Sequence, residues 1–236
     1  MNIHKISLLG GLLAAAFFTA TPAVALPISV TEASGAQTLN FNGFYDSSQI
    51  TIPGLSAQIT LSNFDFTYDT LLNRTSVVFD YSLSNTSAAP VLTSRVTNFA
   101  FNTTPTVLSG APNAVTGVFD TVALNGNQPN GIGTMEFCIT DVNCAGGAGG
   151  GVNLGQTAGG TITIYFSGNQ SSMTFDNAVV RYQSVTCSSG SPCSGSASGI
   201  VTEEGGGGEV PEPSTYALMS LGVAGMALAS RYTRKK

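Results

Sequence analysis

Between residues 26 and 212 the chain contains no histidine, no lysine and no tryptophan. Its one histidine is His4, and its three lysines are Lys5, Lys235 and Lys236, all near the termini. A serine or cysteine nucleophile activated by histidine is therefore excluded from this stretch, as are histidine zinc sites and Schiff-base lysines. Cations of any kind are scarce there. Arg74, Arg95 and Arg181 face thirteen carboxylates, a formal charge of −10 that the whole-chain value of −5 conceals. Nucleic acid and anionic membrane surfaces both require clustered Lys or Arg, so neither is an expected partner. An acidic surface rich in hydroxyls suits solubility, cation association and contact with hydrated polymers. No long stretch between the termini shows a 3.6-residue apolar period, which argues against a helical body.

The informative segments that are present lie at the two ends. From Thr215 to Ser230 every residue is apolar, small or a hydroxyl. A helix of that length reaches about 24 Å, short of the roughly 30 Å hydrocarbon core, so hydropathy alone leaves it ambiguous. The flank decides for a single transmembrane helix over about 215–230: Arg231, Arg234, Lys235 and Lys236 form a basic tail that stays cytoplasmic while the preceding chain lies outside. At the other end, Lys5, an apolar run over 6–18 and the small residues Ala23 and Ala25 form a secretory signal peptide, 1–25, with a helical apolar core and cleavage after Ala25. With no twin arginine, the general secretion machinery is the expected partner. The precursor is then anchored in a membrane with its body on the non-cytoplasmic side.

Pro211-Glu212-Pro213, the apolar helix and the basic terminus together resemble the PEP-CTERM sorting signal of Gram-negative bacteria, over residues 210–236. The same motif is also known as the ice-binding protein C-terminal domain, a label that gives no reason to expect ice binding. The resemblance implies processing by exosortase, a membrane cysteine transpeptidase acting near Pro211, Glu212 and Pro213. It further implies a transient stay in the inner membrane, release to the cell surface or extracellular matrix, and association with exopolysaccharide in a biofilm.

The four cysteines repeat a spacing: Cys138 and Cys144, like Cys187 and Cys193, have five residues between them. An even count in an oxidising compartment predicts two disulfides. Three connectivities can be drawn, and the local pairs Cys138 with Cys144 and Cys187 with Cys193 are favoured. A four-cysteine zinc site is the alternative, at spacings wider than zinc ribbons use.

The body reads as strands. Leu39, Phe41 and Gly43 alternate with Thr38, Asn40 and Asn42, and Val77, Phe79, Tyr81 and Leu83 with Val78, Asp80 and Ser82. Similar runs cover 55–61, 64–68, 96–101, 115–124, 135–139, 162–166 and 173–185, joined by Asn, Gly, Ser, Thr and Pro. The expectation is an all-β fold, an antiparallel β-sandwich, jelly-roll-like or immunoglobulin-like, over 26–185. Residues 186–209, rich in Ser, Gly and Cys and ending in acidic residues, read as a linker.

Several constellations admit chemical readings. The glycine-rich run 146–154 resembles one calcium-binding nonapeptide, but Gly151 stands where that motif needs Asp and there is one copy, so a loop is preferred. Asp80, Glu136, Asp141 and Asp176 include residue types sufficient for a glycosidase pair. Asp65 and Asp69 beside Phe64, Phe66 and Tyr68 admit calcium or sugar binding, against a core reading for the aromatics. The stretches 79–87 and 94–101, with Cys138 and the Cys144-Ala145-Gly146-Gly147 element, resemble the cistern family of PEP-CTERM proteins, which implies no biochemical activity. The favoured reading is a non-catalytic structural or interaction protein of the surface or matrix, with no catalytic residue, metal or cofactor. A carbohydrate-binding module with an aromatic face is the alternative, and a carboxylate-dependent glycan-acting enzyme the third.

Overall fold

The computed structural model describes residues 27–45, 50–146, 149–188 and 193–202. Both terminal helices expected from the sequence, signal and transmembrane, lie outside the described residues. Within them the protein is all-β, with twelve strands: β1 (Ile28–Thr31), β2 (Gln37–Phe44), β3 (Thr51–Asp69), β4 (Arg74–Ser84), β5 (Val91–Thr104), β6 (Ala114–Val115), β7 (Thr121–Gln128), β8 (Gly133–Thr140), β9 (Val152–Asn153), β10 (Thr157–Ser167), β11 (Ser172–Cys187) and β12 (Ser194–Ile200). Every pairing is antiparallel.

Hydrogen bonding runs through the strands in the order β6-β10-β4-β3-β2-β12-β11-β5-β8-β7, with β1 on β11 and β9 on β5. The two separate sheets that a sandwich requires are therefore replaced by one continuous sheet, nearly barrel-shaped. The ends of the path explain the closure. β6 and β7 are terminal in the order yet only residues 116–120 separate them in the chain, so the edges must come together. That connection interrupts the single strand that alternation suggests over 115–124. Gly117 has φ of 102°, and a Cβ there would collide with the Gly159 carbonyl. Fully buried Phe119 stacks on Tyr81 at 6.1 Å, and the Tyr81 hydroxyl donates to the Thr116 carbonyl at 3.2 Å. Phe119 fills the gap between the two ends.

The interior is packed with rings. Phe101 on β5 lies 5.1 Å from Phe99, 5.0 Å from Phe137 on β8 and 5.2 Å from Phe175 on β11, centroid to centroid. Phe175 continues to Phe79 on β4 at 5.8 Å, and Phe79 to Phe64 on β3 at 5.5 Å. Phe99 reaches Phe41 on β2 edge-on at 6.2 Å. These contacts join the β3–β4 side to the β5–β8 side through the centre; Phe101 and Phe137 are stacked and the other pairs are tilted or edge-on, geometries that ring quadrupoles favour.

Two departures from simple alternation matter. The expected strands 55–61 and 64–68 are one strand, β3, with a register shift between Ser62 and Asp65 where Asn63 has φ of 57°. The bulge keeps both apolar sets facing inward. The expected linker is folded at its start: β11 runs to Cys187, and β12 pairs with β11 and meets β2 at Ser198 opposite Phe44. The small residues of β12 that read as linker are a packing requirement, since a Cβ on Gly199 would meet the Asn42 carbonyl and the Tyr182 ring.

Because Phe101 touches three other rings in a sealed interior, Phe101→Ala is expected to cost about 3–5 kcal/mol and Phe101→Leu distinctly less. Denaturant unfolding monitored by circular dichroism measures both. Equal, small losses would show that the rings are not interlocked.

Candidate functional site

Of the four carboxylates that could have formed a catalytic pair, Asp80, Glu136 and Asp176 each have a local structural task. Asp80 accepts from the Asn63 amide at 2.8 Å and the Thr161 hydroxyl at 2.9 Å, across the β3 bulge and the β4–β10 pair. Glu136 accepts from the Thr103 amide at 2.9 Å, the Thr103 hydroxyl at 3.1 Å and the Val107 amide. Asp176 accepts from the Thr104 hydroxyl at 2.7 Å. Glu136 and Asp176 thus both brace the turn after β5, while Asp80 serves the opposite half of the sheet. Asp141 follows β8. Burial raises its carboxyl above the usual range, neighbouring Asp120 adds to the rise, and Arg95 opposes it. Among the described residues no three acidic or cysteine side chains gather into a group that could hold a metal ion.

The aromatic constellation near Asp65 and Asp69 is resolved toward core. Phe64 is buried against Phe79, and Phe66 packs on the core from its edge. Tyr68 donates to the Asn73 side chain at 2.8 Å, within the β3–β4 hairpin. Asp65 accepts from Thr67 at 2.9 Å, and Asp69 caps the turn by accepting from the Leu71 and Leu72 amides at 2.9 and 3.1 Å. These rings form no exposed platform for a sugar.

Both local disulfides are formed. Cys138 joins Cys144 and Cys187 joins Cys193, with Cα atoms 6.2 and 5.5 Å apart. Cys138 and Cys144 belong to a second apolar cluster with Ala100, Met135 and Val179, on the outer side of β5, β8 and β11. The loop after the staple runs over Arg181. The Cys144 carbonyl accepts from Asn98 at 2.6 Å, and the Ala145 carbonyl from Arg181 Nε at 3.2 Å. The guanidinium also donates to Ser198 at 3.0 Å and Ser196 at 2.6 Å on β12. These partners are all neutral, and burial lowers its pKa to about 10. The glycines read as a loop lie close to this arrangement: a Cβ on Gly146 would strike Gln183, and one on Gly151 the Val96 carbonyl.

A groove of about 490 Å³ lies along β2 and β3. Its lining includes Asn40, Asn42, Ser56, Gln58, Thr86 and Thr202. Asn40 stands opposite Gln58 and Asn42 opposite Ser56 in the strand register. The Gln58 amide donates to Asn40 Oδ1 at 2.9 Å, and Thr86 donates to Ser56 at 3.0 Å. Thr202, the last described residue, closes one side by donating its amide to the Asn40 carbonyl at 2.8 Å. Sequence reasoning placed Asn40 and Asn42 on the polar face of a strand but did not single out the groove. The available signal was amides at outward strand positions.

The processing residues Pro211, Glu212, Pro213, Arg231, Arg234, Lys235 and Lys236, with Ala23 and Ala25, lie outside the described residues. Comparison with known families matches residues 209–235 to the PEP-CTERM protein-sorting motif. No curated protein and no solved structure matches the chain. The likeness of the body to the cistern family finds no support.

Two outcomes are expected. Glu136→Ala strands the Thr103 and Val107 amides and should cost about 2–3 kcal/mol in denaturant unfolding, with Glu136→Gln intermediate; unchanged stability would remove the bracing role. Alkaline pH should also destabilise the fold. Burial raises the Tyr81 phenol to about 12 and Tyr182 well above the usual value, so between about pH 10 and 12 the unfolded chain loses protons that the folded one keeps. Arg181 acts oppositely in the same window, because its folded form releases a proton that the unfolded form holds. Two phenols outweigh one guanidinium, so the melting temperature should fall across that window, and Tyr81→Phe should flatten the fall; an unchanged slope in that variant would contradict it.

Proposed function

We propose that this is a non-catalytic interaction protein of the exopolysaccharide matrix, delivered there by its C-terminal sorting tail. The matched motif at 209–235 implies a membrane-anchored precursor processed by exosortase and a secreted or surface destination. That match is the single observation that carries the reading. Export through the general secretion machinery, with the body facing the periplasm until release, is the route proposed from the signal peptide. The non-catalytic role is supported by the missing histidine and lysine and by Asp80, Glu136 and Asp176, whose oxygens are engaged in holding turns and strands. A carbohydrate-binding role is the second reading. The polar groove along β2 and β3 favours it in place of the expected aromatic face.

Replacing Pro211, Glu212 and Pro213 together by Ala tests the sorting tail. Fractionation of the native host should find the unaltered protein in the medium and matrix, and the triple variant retained in the membrane with Lys236 intact. Equal release of the two would separate destination from the motif.

A further inference from the structure

The outward face of β2 and β3 uses residues that strands seldom select. Asn is depleted in strands because its short amide competes with the backbone for hydrogen bonds, yet Asn40 and Asn42 occupy successive outward positions of β2, with Gln58 outward on β3. The Thr38 and Thr60 hydroxyls, 3.1 Å apart, show the ordinary solution one step along the same ladder. A local preference set aside at several adjacent positions points to a task other than folding. The shape agrees. The amides lie within the groove, between Thr86, in the connection from β4 to β5, and Thr202, beyond β12. Gly54, with φ of 76°, sets the first wall: the Ala88 amide donates to its carbonyl at 2.8 Å, and a Cβ there would strike the Ala88 carbonyl.

We propose that this groove is a binding site for a neutral polysaccharide chain. Each side-chain amide offers a donor and an acceptor side by side, which matches neighbouring hydroxyls on a sugar ring. Gln58 holds Asn40, and Thr86 holds Ser56, so part of the site is ordered before binding. Asn42 is the adaptable member. Its amide nitrogen reaches Thr51 at 3.3 Å, while its buried Oδ1 has no hydrogen-bond partner. A small rotation brings that acceptor to a ligand hydroxyl and relieves the orphaned oxygen. Among the described residues no ionisable side chain lines the groove, and a body carrying three arginines against thirteen carboxylates repels uronate or sulfate chains. The volume falls within the roughly 300–1,000 Å³ range of small-molecule sites, room for a short run of sugar units. Without a stacking ring each site binds weakly, and retention in a matrix comes from many copies engaging one polymer.

The assignment rests on the surface destination proposed above, but its test does not. The full chain, in nonionic detergent and immobilised through its N-terminus, is exposed by biolayer interferometry to dextran, hydroxyethyl cellulose and galactomannan as neutral probes and to alginate as an acidic one. At least one neutral polymer should bind saturably and alginate should not. Asn42→Ala should weaken binding about threefold or more and Asn42→Ala with Gln58→Ala at least tenfold, with melting temperatures checked alongside. Should the double variant unfold, Asn42→Ala carries the comparison, since Asn42 gives up only the 3.3 Å bond from its amide nitrogen to Thr51. The proposal is overturned by silence from all three neutral polymers, by alginate binding equally well, or by undiminished binding of folded variants. None of those results bears on sorting, just as retention or release of the triple-alanine tail variant does not bear on the groove.

Discussion

One sheet closing on itself around interlocked rings is the constraint from which most other features follow. The hydrogen-bonded order begins at β6 and ends at β7, five residues away in the chain, so the sheet cannot lie flat. Curling brings the two ends of the hydrogen-bonded path, β6 and β7, near one another. It also fills the interior. With Phe41, Phe79, Phe99, Phe101, Phe137 and Phe175 buried inside, the barrel is a core and no vessel for a ligand. Recognition is left to the outer surface, where the groove lies.

The outer surface is stabilised separately at its irregular places. The sheet leaves Arg181 pointing outward from β11, beside the apolar Ala100, Cys138 and Val179. Cys138 and Cys144 are joined within that cluster, Ala145 just after the staple supplies a carbonyl to the guanidinium, and β12 supplies two hydroxyls. The second staple, Cys187 to Cys193, ties β12 back to β11. β12 meets β2 through little more than Ser198 opposite Phe44 and the bridge of Phe41 with Val201. This strand, the last among the described residues, precedes the segment leading to the sorting tail. Tying it covalently to β11 secures the point where the body meets its anchor.

Alternation made the long strands legible, because Leu39 and Phe41, or Val77 to Leu83, repeat every second residue and the structure buries that set. The local cysteine pairing was favoured among three connectivities by the repeated short spacing, and both pairs are formed. What was hidden depends on contacts distant in sequence. Whether strands form two sheets or one is decided where β2 meets β12, residues about 150 apart, and no local pattern records it. The break at Gly117 is set by the Gly159 carbonyl, and the strand character of Ser194–Ile200 by the crowding of Asn42 and Tyr182. The aromatics near Asp65 could be placed on a strand but not on a face until the bulge at Asn63 was known. The groove was hidden because its walls come from opposite ends of the chain.

Release of an exported, doubly stapled β body from a temporary anchor is tested most directly by intact-mass spectrometry of the native protein. Samples come from culture medium and membranes, before and after reduction. The expected result is a released species beginning near Leu26, ending near Pro211 to Pro213, and gaining four hydrogens on reduction. A sole membrane-bound species retaining Lys236 would contradict it.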